Sequence, residues 1–295
     1  MQSSSVAPVQ ITKITLNGSD GDAYVSKPAE DLLAVEQPLE IKIVYGPEND
    51  RQQRNISVTM CTPGHDEELA TGFLFTEGII NGKDDIMNCG AAGNTVIATL
   101  RPGISFDPQK IERHFYTSSS CGVCGKSSID AVKNVFKNSG EADHIQISAA
   151  LLTGLPDTLR KHQQVFEHTG GLHASALFDL SGNLLITRED VGRHNALDKL
   201  IGATLQEFII KKDTENGKPL KSLVTVPLNN HILLLSGRAS FELIQKAAMA
   251  GIKVVCAVGT PSSLAVELAK ETDMTLIGFL RDGRFNIYCG EQRIN

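Results

Sequence analysis

Cysteine is scarce in this 295-residue chain, with 6 in all, too few for a disulfide scaffold to carry the fold. Positive charge is not in surplus either. With 28 Lys and Arg against 34 Asp and Glu, the formal net charge is -6, which offers no general attraction for nucleic acid, whose phosphates need a basic surface. No apolar run reaches the length of a membrane-spanning helix, and residues 1–8 have neither the basic segment nor the apolar stretch that opens a secretory signal. The expectations are no nucleic-acid partner, no membrane partner and a cytoplasmic location. No internal repeat is visible. What is present, 41% hydrophobic and 21% charged residues, is the composition of a soluble globular protein long enough for two modest domains.

Residues 1–35 read as a mobile lead-in, with Ser3-Ser4-Ser5, a Gly- and Asp-rich stretch over 18–22, and short apolar pieces able to pair as edge strands. Residues 36–117 read as a small α+β domain. Segments 40–45 and 55–60 alternate polar and apolar residues and predict a hairpin. Over 66–80, Leu69, Phe73 and Phe75 fall at roughly helical spacing behind Asp66, Glu67 and Glu68, which suit a helix start. A strand over 95–100 and a helix over 108–115 complete the unit. Residues 118–295 read as an α/β domain. After a helix begun by Ser127 and Ser128, with Ile129, Val132, Val135 and Phe136 on one face, helix 148–162 precedes a strand pair, 174–180 and 184–188. Helices 193–209, 241–250 and 262–270 then alternate with strands 231–235, 252–258 and 274–280. That alternation predicts a largely parallel sheet covered on both faces.

Five groups of residues carry candidate chemistry. Cys121-Gly122-Val123-Cys124 lies among serines and glycines just before a predicted helix start, where amide donors and the helix dipole lower a thiol pKa. Such a pair serves sulfur transfer, redox chemistry or half of a zinc site. His168-Thr169-Gly170-Gly171-Leu172-His173 could complete that zinc site, or make a tight turn whose histidines satisfy backbone groups. Glu189-Asp190-Val191-Gly192-Arg193-His194 crosses from a strand end into a helix, which is where ligands sit in open α/β sheets, and Asp190 can act there as a simple cap. Ser236-Gly237-Arg238-Ala239-Ser240 repeats the arrangement one unit later. Both arginines suit a phosphate-bearing ligand, or can instead pair with Glu189 or Glu242. Phe279-Leu280-Arg281-Asp282-Gly283-Arg284 forms a compact cationic turn at the end of the last long strand, readable also as a solvated hairpin turn.

These groups, together with Gly72-Phe73-Leu74, Thr76-Glu77-Gly78-Ile79-Ile80, Asn195-Ala196-Leu197-Asp198-Lys199 and Thr260-Pro261-Ser262-Ser263-Leu264-Ala265-Val266-Glu267, resemble the FdhD family of formate dehydrogenase accessory sulfurtransferases from about residue 36 onward. The resemblance implies a homodimeric sulfur carrier. It implies that Cys121 accepts sulfur as a persulfide from a cysteine desulfurase, with Cys124 as its partner. The recipient it implies is the molybdenum cofactor, bis(molybdopterin guanine dinucleotide), bound as a client on its way to formate dehydrogenase. The 279–284 turn, Phe279, Leu280, Arg281, Asp282, Gly283 and Arg284, then contacts that cofactor, with Arg193, His194 and Arg238 as further binding residues. The α/β domain would resemble the cytidine deaminase fold. Zinc deaminases need a helix carrying His-x-Glu and another carrying Pro-Cys-x-x-Cys. The corresponding helix starts here read His194-Asn195-Ala196 and Gly237-Arg238-Ala239-Ser240, so no permanent metal is expected.

Two rivals belong to other classes. A zinc-stabilised chaperone would shelter the molybdenum cofactor without covalent sulfur, using Cys121, Cys124, His168 and His173 as ligands. A dithiol oxidoreductase is disfavoured because the βαβ pattern that usually accompanies its Cys-x-x-Cys is not evident.

Overall fold

The structure, a computed structural model, describes residues 5–17, 23–104, 145–207 and 228–295. Cys121, Cys124 and the helices expected at 108–115 and after Ser127 lie outside the described residues.

The lead-in holds more regular structure than expected. β1 (Val6–Asn17) and β2 (Ala23–Ala34) form an antiparallel ribbon in continuous register. Ile11, Thr12, Ile14, Thr15 and Val25 favour extended backbone through their branched Cβ atoms. The base of the ribbon is tied down, with Val35 N donating to Ser5 O at 2.9 Å and Ser5 Oγ to Pro63 O at 3.1 Å.

β3 (Gln37–Tyr45) and β4 (Gln52–Cys61) form the expected hairpin, and the two-residue period turns Leu39, Ile41 and Ile43 into the core. β6 (Thr95–Leu100) joins β3 in parallel and β5 (Ile86–Ala92) pairs antiparallel with β6, giving the order β4-β3-β6-β5. Nothing in the run Ile-Met-Asn-Cys-Gly-Ala-Ala forecasts β5, which exists through its pairing with β6. α1 (Asp66–Thr76) is shorter than the expected 66–80. Gly78 at φ 69° ends it: Gly78 N donates to Phe75 O and Ile79 N to Leu74 O, a Schellman closure that turns Ile79 and Ile80 back into the core.

The larger sheet has the order β12-β11-β10-β9-β7-β8. Its strands are β7 (His173–Asp179), β8 (Leu184–Asp190), β9 (His231–Leu235), β10 (Val254–Ala257), β11 (Thr275–Arg281) and β12 (Arg284–Cys289). Only β9, β10 and β11 run parallel; β7, β8 and β12 are antiparallel to their neighbours. The sheet is therefore mixed, not largely parallel. Short turns join β7 to β8 and β11 to β12, and a turn of that length returns the chain antiparallel. α2 (Ala149–Arg160) covers one face, packing Leu152, Leu155 and Leu159 against Phe178, Ile232, Leu234 and Ile277. The other face is covered by α4 (Arg193–Glu207), α5 (Phe241–Met249) and α6 (Ser263–Glu271). A short α3 (Gln164–Thr169) follows α2.

Behind α4 stands α1 with the four-stranded sheet, and the two units share one apolar core, in which Ile43, Leu74 and Leu100 join Leu200, Leu233 and Val255. The helices meet backbone to backbone. A Cβ added at Gly72 would lie 1.9 Å from Asp198 O, and one added at Gly202 would lie 1.9 Å from Glu68 O. Buried charges close the same joint: Thr76 Oγ1 donates to Asp198 at 2.8 Å, and Lys246 Nζ of α5 reaches Asp198 at 3.0 Å and Glu77 at 3.3 Å. Against the cost of burial, Asp198 and Glu77 hold Lys246 in its charged form.

Because neither backbone can retreat without uncovering the shared core, Gly202→Ala is expected to destabilise the protein by about 3 kcal/mol. Urea unfolding checks this. A midpoint equal to that of the unaltered protein would show that the helices separate freely.

Candidate functional site

The loops leaving the carboxyl ends of β9 and β10 and the last residues of β11 lie side by side, each hydrogen-bonded to the next. Gly259 N donates to Gly237 O at 2.9 Å, and Phe279 N donates to Gly259 O at 2.9 Å. Ala239 and Pro261 add a parallel bridge. The amino end of β7 joins the row, with Ala174 N donating to Ser236 Oγ at 2.8 Å. Such a row at strand carboxyl ends is the usual ligand edge of an α/β sheet.

Two helix starts face each other on this edge. Ser240 precedes the first residue of α5, and its Oγ lies 3.4 Å from Nε2 of His194 in the first turn of α4; Glu242 Oε2 is 3.9 Å from the same nitrogen. Burial first, then the neighbouring Arg193 and Lys246 cations, push His194 down to about 4. Burial and Arg193 also lower His173, which opens β7 and stands against Gly237, whose added Cβ would lie 3.3 Å from its Nδ1. Both rings are thus neutral at pH 7. Arg193 supplies the local charge, and its Nε is buried with no hydrogen-bond partner among the described residues. It does not pair with Glu189, whose carboxylate instead accepts from Val165 N and Phe166 N at the start of α3.

The structure therefore brings Arg193 and His194 together with His173, Ser240 and Glu242. Arg238 is exposed on the adjoining loop, packed against Gly259. Phe279 sits at φ 53° and is 38% exposed. Arg281, Asp282, Gly283 and Arg284 are exposed at the β11–β12 turn, where Arg281 pairs across from Arg284. That turn is a hairpin turn, as one reading of the sequence had it, and its cationic side chains project to solvent. Leu280 differs from its neighbours: its side chain is fully buried in the core under α2, so only its backbone is available to a ligand. His168 is exposed on the last turn of α3.

Two features went unread in the sequence. A cleft of about 450 Å³ beside His173 is lined by Arg160, Phe166, Gly170, Leu172 and Gly237 among others; it depends on α3, whose six residues are too few to show a period. Asp190 is also more than a cap. It is fully buried, 2.6 Å from Lys199 Nζ, and accepts from Thr62 N, Gly192 N and Asn195 Nδ2. The aspartate and lysine nine positions apart were visible, but not their partner Thr62 just past β4.

The depressed His194 pKa fixes the sign of one pH dependence. Between about 6.5, its ordinary value, and about 4, the unfolded chain binds a proton that the folded chain refuses, so stability falls as pH drops through that window. His194→Gln is expected to flatten this acid limb. Denaturant titrations at pH 7, 6, 5 and about 4 read it, and an unchanged slope in the variant would remove His194 as the cause.

A model of the FdhD/NarQ family matches residues 34–295. The chain is 46% identical over 274 residues to "Sulfur carrier protein FdhD" of Mycolicibacterium paratuberculosis, covering 90% of this chain and 92% of that protein. It is 45% identical over 275 residues to the protein of the same name from Streptomyces avermitilis, covering 90% and 89%. The corresponding protein of Picrophilus torridus is 40% identical over 269 residues, covering 90% and 92%. The crystal structure of a candidate formate dehydrogenase accessory protein from Desulfotalea psychrophila matches with a TM-score of 0.66 at 22% identity, covering 98% of this chain and 99% of that one, a likeness of fold. The family match takes in both sheets, the strand-end loops and the stretch containing Cys121 and Cys124, and leaves out nearly all of the β1–β2 ribbon. This chain belongs to the FdhD/NarQ family.

Proposed function

We propose that this chain is a sulfurtransferase of the carrier type: it takes sulfur as a persulfide on Cys121 from a cysteine desulfurase and passes it to the molybdenum cofactor, bis(molybdopterin guanine dinucleotide), needed by formate dehydrogenase. The observation that carries the reading is the likeness, up to 46% identical over 90% of this chain, to proteins named as sulfur carriers.

Thiol chemistry supports the assignment of the carrier residue. Burial pushes Cys256 up to about 12, and burial first, then the Asp190 carboxylate, pushes Cys61 to about 12 as well; burial likewise raises Cys89 and Cys289. Thiols so placed yield little thiolate near neutrality. Sulfur loading is left to Cys121 and Cys124, which the sequence sets among glycine and serine. In loading, the Cys121 thiolate attacks the terminal sulfur of the desulfurase persulfide, and the desulfurase cysteine leaves as thiolate with no net oxidation. In delivery, the Cys124 thiolate attacks the Cys121 sulfur, forms the Cys121–Cys124 disulfide and releases hydrosulfide to the cofactor. The two electrons gained by the sulfur are those lost by the two cysteines, and an external dithiol, itself oxidised to a disulfide, restores the two thiols for the next cycle.

The strand-end row supports the binding half. Guanidinium groups at Arg193, Arg238, Arg281 and Arg284 suit the phosphates of nucleotide arms, while neutral His173 and His194 can donate or accept hydrogen bonds without adding charge. Phe279 offers a ring face, with Asp282, Gly283 and the Leu280 backbone beside it. We read the larger sheet as a cytidine deaminase-like frame whose facing helix starts carry His194-Asn195-Ala196 and Gly237-Arg238-Ala239-Ser240 in place of metal ligands and a catalytic glutamate. The protein is read as a cytoplasmic homodimer.

Mass spectrometry after incubation with a cysteine desulfurase and cysteine tests the carrier role. One added sulfur is expected on the unaltered chain and on Cys124→Ala, and none on Cys121→Ala. Equal labelling of Cys121→Ala would move the sulfur to another residue.

A further inference from the structure

The end of β4 belongs to the smaller sheet, yet it reaches into the ligand edge of the larger one. Thr62, just past β4 and 3% exposed, uses three polar groups on three separate points of the strand-to-helix crossing. Its N donates to Asp190 Oδ2 at 3.1 Å, its O accepts from Lys199 Nζ at 2.8 Å, and its Oγ1 accepts from Val191 N at 3.1 Å. Asn195 repeats the link two residues earlier on β4: its Nδ2 donates to Met60 O at 2.8 Å, and its Oδ1 accepts from Thr59 Oγ1 at 3.2 Å. Asp190 gathers the whole, accepting also from Gly192 N at 2.8 Å.

A network of this composition is a poor way to gain stability alone, because burying the Asp190 and Lys199 charges costs several kcal/mol of desolvation and apolar residues of the same size would often serve as well. Its geometric product is specific. Every bond in it ends on 190–195 or on the lysine one turn beyond, so the path of Val191 and Gly192 is held from both sides. That path decides where Arg193 and His194 point.

We infer that Thr62 and Asn195 are positioning residues, through which the smaller sheet fixes Arg193 and His194 for ligand binding on the larger one. The inference deepens the proposed function and rests on its cofactor-binding half. It makes the four-stranded sheet a working part of the site. Around His194 itself stand Arg193 on its own helix, Glu242, Lys246 and Ser240 from α5 and the turn before it, and His173 from β7.

The test compares Thr62→Val, which keeps shape and loses Oγ1, with Thr62→Ser, which keeps Oγ1, in the full chain. Guanosine diphosphate serves as the probe for a nucleotide arm, measured by calorimetry, and the His194 ring titration is followed by NMR. Thr62→Val is expected to weaken diphosphate binding about tenfold and to shift the His194 titration, with Thr62→Ser restoring both. If both readouts in Thr62→Val match the unaltered protein, the positioning role is overturned, whatever happens to stability. If Thr62→Val does not fold, Thr59→Val, which removes the more exposed link to Asn195, takes its place with a smaller shift expected in the same directions. Absence of binding by the unaltered protein would count against the cofactor reading instead, and the His194 titration would then decide the positioning role by itself.

Discussion

Two helices touching through their backbones govern the arrangement of this protein. At the crossing of α1 and α4, Gly72 and Gly202 each face a carbonyl of the other helix with no room for a Cβ. A contact that close admits essentially one relative placement, since any added volume meets main chain and not a side chain that can turn aside. It explains why the smaller and larger sheets share an apolar cluster, beside the one that Leu39, Ile41, Leu69 and Val96 form within the smaller unit. It also explains why polar groups on both sides of the joint, Thr76 with Asp198 and Thr62 with Asp190, find partners at hydrogen-bond distance.

With the joint set, the site follows from strand direction. β9, β10 and β11 run parallel, so their carboxyl ends lie together, and β7, running antiparallel beside β9, contributes its amino end with His173. Helices α4 and α5 then begin on the same edge, bringing His194 opposite Ser240. The charges there are unequal by design of the environment. Burial and neighbouring cations keep both histidines neutral, while Arg193, Arg238, Arg281 and Arg284 keep the edge attractive to anions. The overall formal charge of -6 coexists with this: Glu242 and Asp282 stand on the same edge, while Glu189 is turned to the start of α3.

Much of the fold was legible from local pattern. β6 and β9 match their expected ranges residue for residue, and the ends of the helices on the larger sheet fall within a few residues of expectation, because apolar period and capping residues are local properties. β5 and β12 were not foreseen, and the β1–β2 ribbon was underestimated, since edge strands with mixed polarity take their structure from a partner strand. The alternating strands run parallel as expected, as β9, β10 and β11, and the strand pair is the β7–β8 hairpin; β12 and the antiparallel seat of β7 beside β9, which make the whole sheet mixed, were not read. At the site, Arg193, His194 and Arg238 were readable because each follows a predicted strand end. Thr62 was not, and Asn195 was read only as part of a helix start, because nothing in a threonine after a strand names a partner more than a hundred positions away.

The sequence alone determined the element types over most of the described residues, the motifs that mark the FdhD/NarQ family, and a thiol pair set in small residues before a predicted helix. These depend on neighbours in the chain and on residue chemistry. Only the tertiary structure decided that the two sheets share an apolar cluster, that Leu280 faces the core while Phe279 faces outward, that burial lowers His173 and His194, and that the end of β4 holds the start of α4. Those facts come from desolvation and from contacts between distant segments, which exist only once the backbones of α1 and α4 have met.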